Sequence, residues 1–408
     1  MRYFFLCFII LSLVACKKES IPSNTENPGI PEPPEPPIVV ECDVPHNELW
    51  YTTTHNDTTC PYFHPSLEHS IVSNTYGSKG GVMRFDGDIT TIGDMLFLGN
   101  HTLSSITMPC SVTSIGESAF DTCALLSEVN LSANIEYIGE KAFYHCKFSE
   151  FVVPDKVTTI EPTTFGACQN LVKITLPEGL KKISKFAFTH CIALKSISIP
   201  HGVEDIESGA FVDCRSLEKF ESRYATADGR CLIKDNTIIA FAPSGLTEYA
   251  IENGVTTIGS NAFAVCEELR SVDIPNSVTH IGAWAFSACY GLESITIPDS
   301  VISMSAGCFS TYQPLVVYCE AATPPVAVLG SESYWRGFSM SQYPKLTIYV
   351  PVESVDEYKS AEHWSNYADN IVGYDFENGV AVEKSLQYIQ MPRACSTICW
   401  TDPRCESE

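Results

Sequence analysis

The sequence predicts a solenoid, in which short repeats of about 23 residues stack on one another. The first observation is a recurring Ala-Phe-x-x-Cys motif, as in Ala119, Phe120 and Cys123. The second is a spacing of 22 or 23 residues between its phenylalanines, with one gap of 52 residues. The third is a set of apolar positions that keeps the same step. The phenylalanines of the nine copies are Phe97, Phe120, Phe143, Phe165, Phe188, Phe211, Phe263, Phe286 and Phe309.

Each repeat begins with a short strand, because apolar side chains alternate there with polar ones. The set Leu269, Val272, Ile274 and Pro275 recurs 23 residues later as Leu292, Ile295, Ile297 and Pro298. The alternating pair points inward from the strand. A second apolar pair follows, as in Val278 and Ile281, and then a glycine such as Gly282, a residue type suited to a turn with unusual backbone angles.

The last part of each repeat, as in Ala285, Phe286 and Cys289, has the spacing of one side of a short helix. One repeat is too small to bury these side chains alone, so copies stack, Phe on Phe and Leu on Leu. The frame L-x-x-L-x-L is that of a leucine-rich repeat. We therefore predict a β-rich leucine-rich-repeat solenoid of short strands and short helical turns over residues 86–320, with a cap at each end.

The long gap between Phe211 and Phe263 contains an insertion near residues 221–249. Two apolar runs, which begin at Cys231 and at Thr237, flank the turn-forming pair Asp235-Asn236. This pattern predicts a β-hairpin that projects from the solenoid.

The first 15 residues have the charged start and apolar middle of a secretory signal peptide, too short to remain as a membrane span. Leu13-Val14-Ala15-Cys16 resembles a lipobox, at which bacteria lipidate the cysteine and cleave before it. We expect lipidation at Cys16, followed over residues 16–40 by a proline-rich tether with extended geometry. The formal charge of −24 argues against nucleic acid and against anionic lipid as partners, so we expect membrane contact through the lipid anchor only.

The repeat pattern I-x-I-P-x-x-V-x-x-I-G-x-x-A-F-x-x-C resembles that of the BspA-like leucine-rich repeats of Bacteroidetes surface proteins. The resemblance extends to the segment that starts at Glu48, taken as an N-terminal cap over residues 41–85. It also extends to Leu346–Pro351 and the following residues, taken as a C-terminal cap over residues 321–376. Ser354 and Glu357 form an S-x-x-E capping box there, so we expect a helix to start at that point. Residues 377–408 remain a tail without an assignment.

The resemblance implies attachment to host matrix proteins, to other bacteria or to epithelial cells. The family has no common active site, so no catalytic residue follows from it. The sequence contains no G-x-S-x-G elbow, no H-E-x-x-H pair and no P-loop, and we expect neither an enzyme nor a cofactor. The residues His55, Asp57, Cys60, His64 and His69 cluster in the N-terminal cap, but their spacing matches no metal-binding frame, so we expect no metal site.

Seven cysteines occupy the Phe+3 position of the repeats, from Cys123 to Cys289. Disulfides between stacked copies are one interpretation, since neighbouring strands lie within the distance window for a bridge. The favoured interpretation is a ladder of buried thiols at the small interior position of each repeat. Cys42 and Cys60 flank the N-terminal cap as a possible disulfide, and Cys395, Cys399 and Cys405 form a cluster of tail thiols.

The outward strand residues form a polar strip of small side chains, which is our candidate binding surface. Its members are Thr107, Asn130, Val152, Thr175, Ser198, Glu221, Asp273 and Thr296. The strip contains no run of aromatic residues, whereas sugar-binding sites usually stack rings on Trp or Tyr. A protein ligand therefore fits it better than a glycan, although the real site could lie on the caps or the hairpin.

The sequence thus predicts a monomeric protein, lipid-anchored in the outer membrane and facing the cell surface, that binds a host-matrix or microbial protein. The alternative is a glycan-binding or periplasm-facing accessory lipoprotein. An aromatic platform of Trp50, Tyr51 and Tyr62 would favour this alternative. A purely structural role in a surface layer is the third interpretation, and it predicts no saturable ligand.

Overall fold

The computed structural model describes residues 43–59, 61, 68–311, 313–329, 337–338 and 346–382. Within these ranges the chain is a β-solenoid with few helices, which confirms the predicted leucine-rich-repeat fold. Each repeat contributes a front strand with the L-x-x-L-x-L frame, then a short back strand, then a run of turns that carries the phenylalanine.

The strands form two rows. The front strands are β5 (Leu103–Thr107), β7 (Glu128–Asn130), β9 (Glu150–Val152), β11 (Lys173–Thr175), β13 (Ser196–Ser198), β15 (Lys219–Glu221), β18 (Glu248–Ala250), β20 (Ser271–Asp273), β22 (Ser294–Ile297), β24 (Leu315–Cys319) and β26 (Leu346–Pro351). The back strands are β4 (Thr91–Ile92), β6 (Ser114–Ile115), β8 (Tyr137–Ile138), β10 (Thr159–Ile160), β12 (Lys182–Ile183), β14 (Asp205–Ile206), β17 (Thr237–Phe241), β19 (Thr257–Ile258), β21 (His280–Ile281), β23 (Ser303–Ser305) and β25 (Val326–Val328).

The remaining elements lie at the ends and at the insertion. They are β1 (Glu48–Thr53), β2 (Ile71–Gly77), β3 (Gly80–Phe85), β16 (Cys231–Lys234), β27 (Ile371–Asp375) and β28 (Val380–Val382), the helix α1 (Val355–Ser360) and two 3₁₀ helices, Val352–Ser354 and Trp364–Asn370.

Consecutive repeats stack in parallel and in register. In the front row Ile174 pairs with Phe151, and the residues on either side of Ile174 face solvent. The turn backbones are joined as well, since the N–H of Phe188 donates to the carbonyl of Ala210 at 2.8 Å. Backbone hydrogen bonds therefore join neighbouring repeats at the strands and at the turns, although neither row of strands is paired without interruption.

The buried phenylalanines stack in parallel with an offset, and their stacking was predicted from their spacing. Their ring centroids lie 5.0 to 5.9 Å apart and their planes differ by 3 to 13°. Phe338, which the spacing did not identify, extends the ladder beyond Phe309. Offset stacking of this kind adds to the hydrophobic gain from burying each ring. We call this row of rings the phenylalanine ladder.

The segment around each ladder phenylalanine is a run of turns, whereas its spacing suggested a short helix. Residues two before and two after the ring adopt left-handed backbone angles, as Phe186 (φ 58°) and His190 (φ 57°) do around Phe188. Two left-handed residues in each copy from Phe97 to Phe286 interrupt helical hydrogen bonding. Gly282 does not have the unusual angles expected of it, but a Cβ there would lie 2.6 Å from the backbone nitrogen of Ser260, so it permits close stacking.

The predicted hairpin is present, with Asp235 and Asn236 in the left-handed turn between β16 and β17. It does not project from the solenoid as expected. Strand β17 pairs in parallel with β19 and takes the place of a back strand, because Ile238 and Phe241 need burial. The insertion divides the hydrophobic core into two clusters, and the ring stack is interrupted between Phe211 and Phe263.

At the N-terminal end, β1, β2 and β3 form an antiparallel unit, and β1 pairs antiparallel with β5. This pairing occupies the strand edge that a preceding repeat would otherwise fill. Cys110, at the turn after β5, is disulfide-bonded, whereas the other ten described cysteines are free. The possible bridge between Cys42 and Cys60 lies outside the described residues.

At the C-terminal end, β24, β26, β27 and β28 continue the front sheet, and α1 packs against β27. The helix begins directly after Ser354, as predicted, but the capping-box hydrogen bond does not form. A 3₁₀ turn precedes the helix and places Ser354 itself in helical geometry with its side chain buried. The large side chains of Tyr358 and Trp364 fill the core here.

Replacing Phe188 with alanine tests the ladder. We expect a loss of about 3–5 kcal/mol in the free energy of unfolding, because a fully buried ring between two stacked rings leaves a cavity. Guanidinium denaturation followed by circular dichroism measures it. The matched control is Phe186→Ala, two residues away and 36% exposed, which should change stability by less than about 1 kcal/mol. Equal effects of the two variants would contradict the assignment.

Replacing Val265 with asparagine tests the left-handed positions. Val265 has φ 62°, and a β-branched residue is strained there, whereas asparagine tolerates this conformation. We expect Val265→Asn to stabilise the protein by about 1 kcal/mol, measured as a higher melting temperature. Val152→Asn, on an exposed strand position, should give no gain, because asparagine is disfavoured in strands. A destabilised Val265→Asn protein would show that the turn geometry is wrong.

Candidate binding surface

The predicted strip forms one row on the front sheet. The structure pairs Thr107 with Asn130, Val152 with Thr175, Ser198 with Glu221 and Thr296 with Tyr318 in direct register. Asp273 pairs with Ala250, which lies in the segment after the insertion. Ala250 was not among the predicted members of the strip. All these positions are exposed or partly exposed, because the strand alternation directs their neighbours into the core.

Few of the strip's polar groups are engaged with one another. The amide of Asn130 donates to the hydroxyl of Thr107 at 3.2 Å, and Lys219 forms an ion pair with Glu221 at 2.6 Å. Exposed pairs of this kind contribute little to stability. The strip is therefore a solvated polar surface whose donors and acceptors remain open to a partner.

Aromatic side chains stand at both ends of the row. Trp50 of β1 pairs with Thr107 in register and is 37% exposed. At the other end Tyr318 follows Thr296, and Tyr349 pairs with Tyr318. The repeat frame, continued 22 residues past Thr296, reaches Tyr318, so the sequence held the signal for it. The predicted strip ended at Thr296 on β22 and did not include the last two front strands, β24 and β26.

The structure does not bring Trp50 and Tyr51 together as the aromatic platform that would favour the alternative, glycan-binding role. Tyr51 points into the core and is 2% exposed, with its hydroxyl near Asn74. Of Trp50 and Tyr51, only Trp50 faces outward. Its indole N–H donates a hydrogen bond to the carboxylate of Glu48 at 2.8 Å. Tyr62 lies outside the described residues.

The repeat cysteines form the predicted ladder of buried free thiols. Six of them donate to the carbonyl of a phenylalanine in the preceding repeat at 3.0 to 3.4 Å, as Cys168 does to Phe143. Burial raises the pKa of Cys168 to about 12. A thiol that remains protonated and buried is a poor nucleophile, so these residues contribute packing.

One charged cluster spans the insertion on the turn face. The carboxylate of Asp213 is 4% exposed and accepts hydrogen bonds from His190 and from Arg215, and Arg215 also reaches Glu267 at 2.7 Å. Burial alone would raise the pKa of Asp213, but these two hydrogen bonds lower it. The hydrogen bond to Asp213 raises the pKa of His190. Because Arg215 and Glu267 lie on opposite sides of the insertion, the cluster connects the two halves of the solenoid.

The histidines and acids of the N-terminal unit are engaged locally. The Nδ1 atom of His69 lies 3.1 Å from the Oδ1 atom of Asp86. The carboxylate of Asp57 accepts a hydrogen bond from the backbone N–H of Thr58. Cys60 and His64 lie outside the described residues. Over the described ranges no group of three or more histidines, cysteines or acids could hold a metal ion. The helices of these ranges are also too short to cross a bilayer.

Similar proteins share the repeat. A family model described as BspA-type leucine-rich repeat region matches residues 90–218 and 237–318 in six copies, just over half of the chain. The second matched range begins at Thr237, the first residue of β17, and β17 takes the position of a back strand. No curated protein matches this sequence.

Several solved structures of bacterial proteins are similar to this chain. The pneumococcal vaccine antigen PcpA is 17% identical over 76% of this chain and 88% of that one, with a TM-score of 0.52, which shows the fold alone. A leucine-rich cell surface protein from Faecalibacterium prausnitzii is 21% identical over 67% of this chain and 95% of that one, with a TM-score of 0.45. A leucine-rich repeat protein from Bacteroides ovatus is 19% identical over 78% and 99%, with a TM-score of 0.43.

The cluster around Asp213 predicts a pH dependence of stability. The ion pair of His190 with Asp213 stabilises the fold fully below the unfolded histidine pKa, about 6.5, and this contribution is lost as pH rises through the raised folded pKa. His190→Gln should therefore destabilise the protein more at pH 6 than at pH 9 in denaturant titrations. His201→Gln, at an exposed turn, is the control and should show no such difference. An equal loss for His190→Gln at both pH values would refute the assignment.

Proposed function

Because this chain belongs to the family of BspA-type leucine-rich-repeat proteins, we propose that it is a lipid-anchored cell-surface protein that binds a protein ligand through its front strip. The observation that carries the proposal is the exposed row of front-strand positions between Trp50 and Tyr349, in which the strands that pair present these side chains in register. Side chains on paired strands are held more precisely than those on loops, which favours recognition of a folded partner.

The anchor and the tether support a position outside the outer membrane. Cys16 ends the lipobox-like run, and residues 16–40 combine prolines with acidic residues. Both segments lie outside the described residues, and their role is part of the proposal. An extended proline-rich chain rises about 3.1 Å per residue, so this tether would hold the solenoid some tens of ångströms from the membrane.

The chemistry of the strip favours a protein of the host matrix or of a neighbouring microbe. Small hydroxyl and carboxylate side chains suit hydrogen bonding to a polypeptide surface. The formal charge of −24 opposes polyanions such as nucleic acids. Leucine-rich-repeat solenoids are typically non-enzymatic, and the proposed role requires no cofactor or catalytic group.

Protease treatment of intact cells tests the location. We expect added protease to remove the solenoid from whole cells, because the tether would expose it outside the outer membrane. Immunoblotting of washed cells measures the loss, and a periplasmic protein must survive as the control for membrane integrity. Cys16→Ala should release the protein from the membrane fraction.

If the solenoid survives until the outer membrane is broken, the surface-binding proposal fails. A periplasm-facing role in handling glycans would then be the better account. If Cys16→Ala leaves the protein in the membrane fraction, the lipid anchor is wrong whatever the orientation.

A further inference from the structure

Three tyrosines form a compact cluster at the C-terminal end of the front strip. Tyr318 and Tyr349 pair in register on β24 and β26, with ring centroids 5.2 Å apart and planes 26° apart. Tyr374 of β27 lies 5.2 Å from Tyr318 and 4.9 Å from Tyr349. Phe376 adds a fourth ring at 5.0 Å from Tyr374. All four side chains are partly exposed. We call these residues the tyrosine cluster.

The hydroxyl groups of this cluster differ from those of the buried tyrosines nearby. Tyr358 donates to the carbonyl of Ala321 at 2.8 Å, and Tyr367 donates to Phe338 at 3.2 Å. No phenol oxygen of the cluster has a hydrogen-bond partner among the described residues. Burial, and then the nearby phenols of Tyr374 and Tyr349, raise the pKa of Tyr318. The cluster therefore presents several unengaged hydroxyls at one place.

The charged residues closest to these rings along the chain are all acidic. Within two residues of a cluster ring the chain carries Glu320, Asp375 and Glu377, and no lysine or arginine. Asp375 accepts the backbone N–H groups of Glu377 and Asn378, so it shapes the turn, whereas Glu320 is exposed. The local charge has the same sign as the formal charge of −24 of the whole chain.

We propose that Tyr318, Tyr349 and Tyr374 anchor a basic, lysine- or arginine-bearing segment of the protein ligand, an inference that rests on the proposed function. Tyrosine is enriched where a few residues carry most of the binding energy of a protein interface, since it buries a large ring at little entropic cost. Ammonium and guanidinium groups donate to phenol oxygens and to the carboxylates beside them. The register from Thr296 to Tyr318 makes the cluster continuous with the strip.

A glycan fits this cluster less well than a basic protein segment. Sugar rings stack on open aromatic faces, but Tyr318 and Tyr349 stack on each other, and Tyr374 contacts both rings at about 5 Å, so part of the aromatic surface is already occupied. The ring edges and hydroxyls remain available, and interface tyrosines use these for protein contacts.

Selection from a random 12-residue peptide phage library on the full chain tests the inference. We expect the recovered peptides to be rich in lysine and arginine and to lose at least tenfold in affinity for Tyr349→Ser, measured by fluorescence anisotropy. Tyr349→Phe keeps the ring and should lose less. The matched control, Tyr137→Ser, removes a tyrosine that is 48% exposed on the back strand and should bind as the unchanged protein does. Thermal melting of each variant must show that it is folded.

The outcomes separate the two proposals. Peptides without basic residues, or basic peptides that bind folded Tyr349→Ser as well as the unchanged protein, overturn the tyrosine anchor. If those peptides still lose affinity for Ser198→Arg, the strip remains the binding surface and only the anchor fails. An array of neutral oligosaccharides, bound by the unchanged protein and lost in Tyr349→Ser, would make the cluster a glycan site and also overturn the inference.

Discussion

Parallel, offset stacking of one phenylalanine per repeat is the contact on which the rest of the structure depends. Within each of the two stacks, on either side of the insertion, neighbouring ladder rings are buried against one another with centroids 5.0 to 5.9 Å apart. A repeat of this size has no core of its own, so it is stable only while its neighbours are in place. Each ring is connected through the chain to the front strand of its own repeat. Stacking of the rings therefore also sets the register between neighbouring front strands. The interior positions are therefore constrained, whereas the outward residues of the front strip can vary with the ligand.

Where the repetition stops, other interactions replace the ladder. At the insertion, β17 supplies a back strand, and Asp213 with Arg215 and Glu267 connects the two sides through charge-assisted hydrogen bonds. At the N-terminal end, β1 covers the open edge of β5 with antiparallel pairing. At the C-terminal end, Phe338 stacks on Phe309 while Tyr358 and Trp364 fill the core beneath the last front strands.

Features that repeat were predictable from the sequence, because every copy of the repeat places the same type of residue at the same position. The phenylalanine ladder, the buried thiols and the outward strip all follow from the spacing, and the Asp235-Asn236 turn follows from residue type. Features that occur once were harder to predict. The tyrosine cluster depends on the pairing of β26 and β27, strands without the repeat motif.

Backbone conformation was the other source of error. The Ala-Phe-x-x-Cys spacing fits a helix and a run of turns equally well, and left-handed residues as different as Phe186, His190 and Val265 carry no common signature. The hairpin was predicted from its turn, but its orientation depends on which surface can bury Ile238 and Phe241. Sequence spacing therefore determined which side chains share a face, while the path between them required the structure.

The most direct test of the central claim, that the front strip is the binding surface, is site-specific photo-crosslinking on living cells. A photoreactive amino acid is placed at Ser198 in the strip or at Thr158, an exposed position before back strand β10, and covalent adducts are identified by mass spectrometry. The account predicts a saturable protein adduct from position 198 and none from position 158. Adducts from position 158 alone, or none from either position in the presence of a ligand that binds the cells, would contradict it.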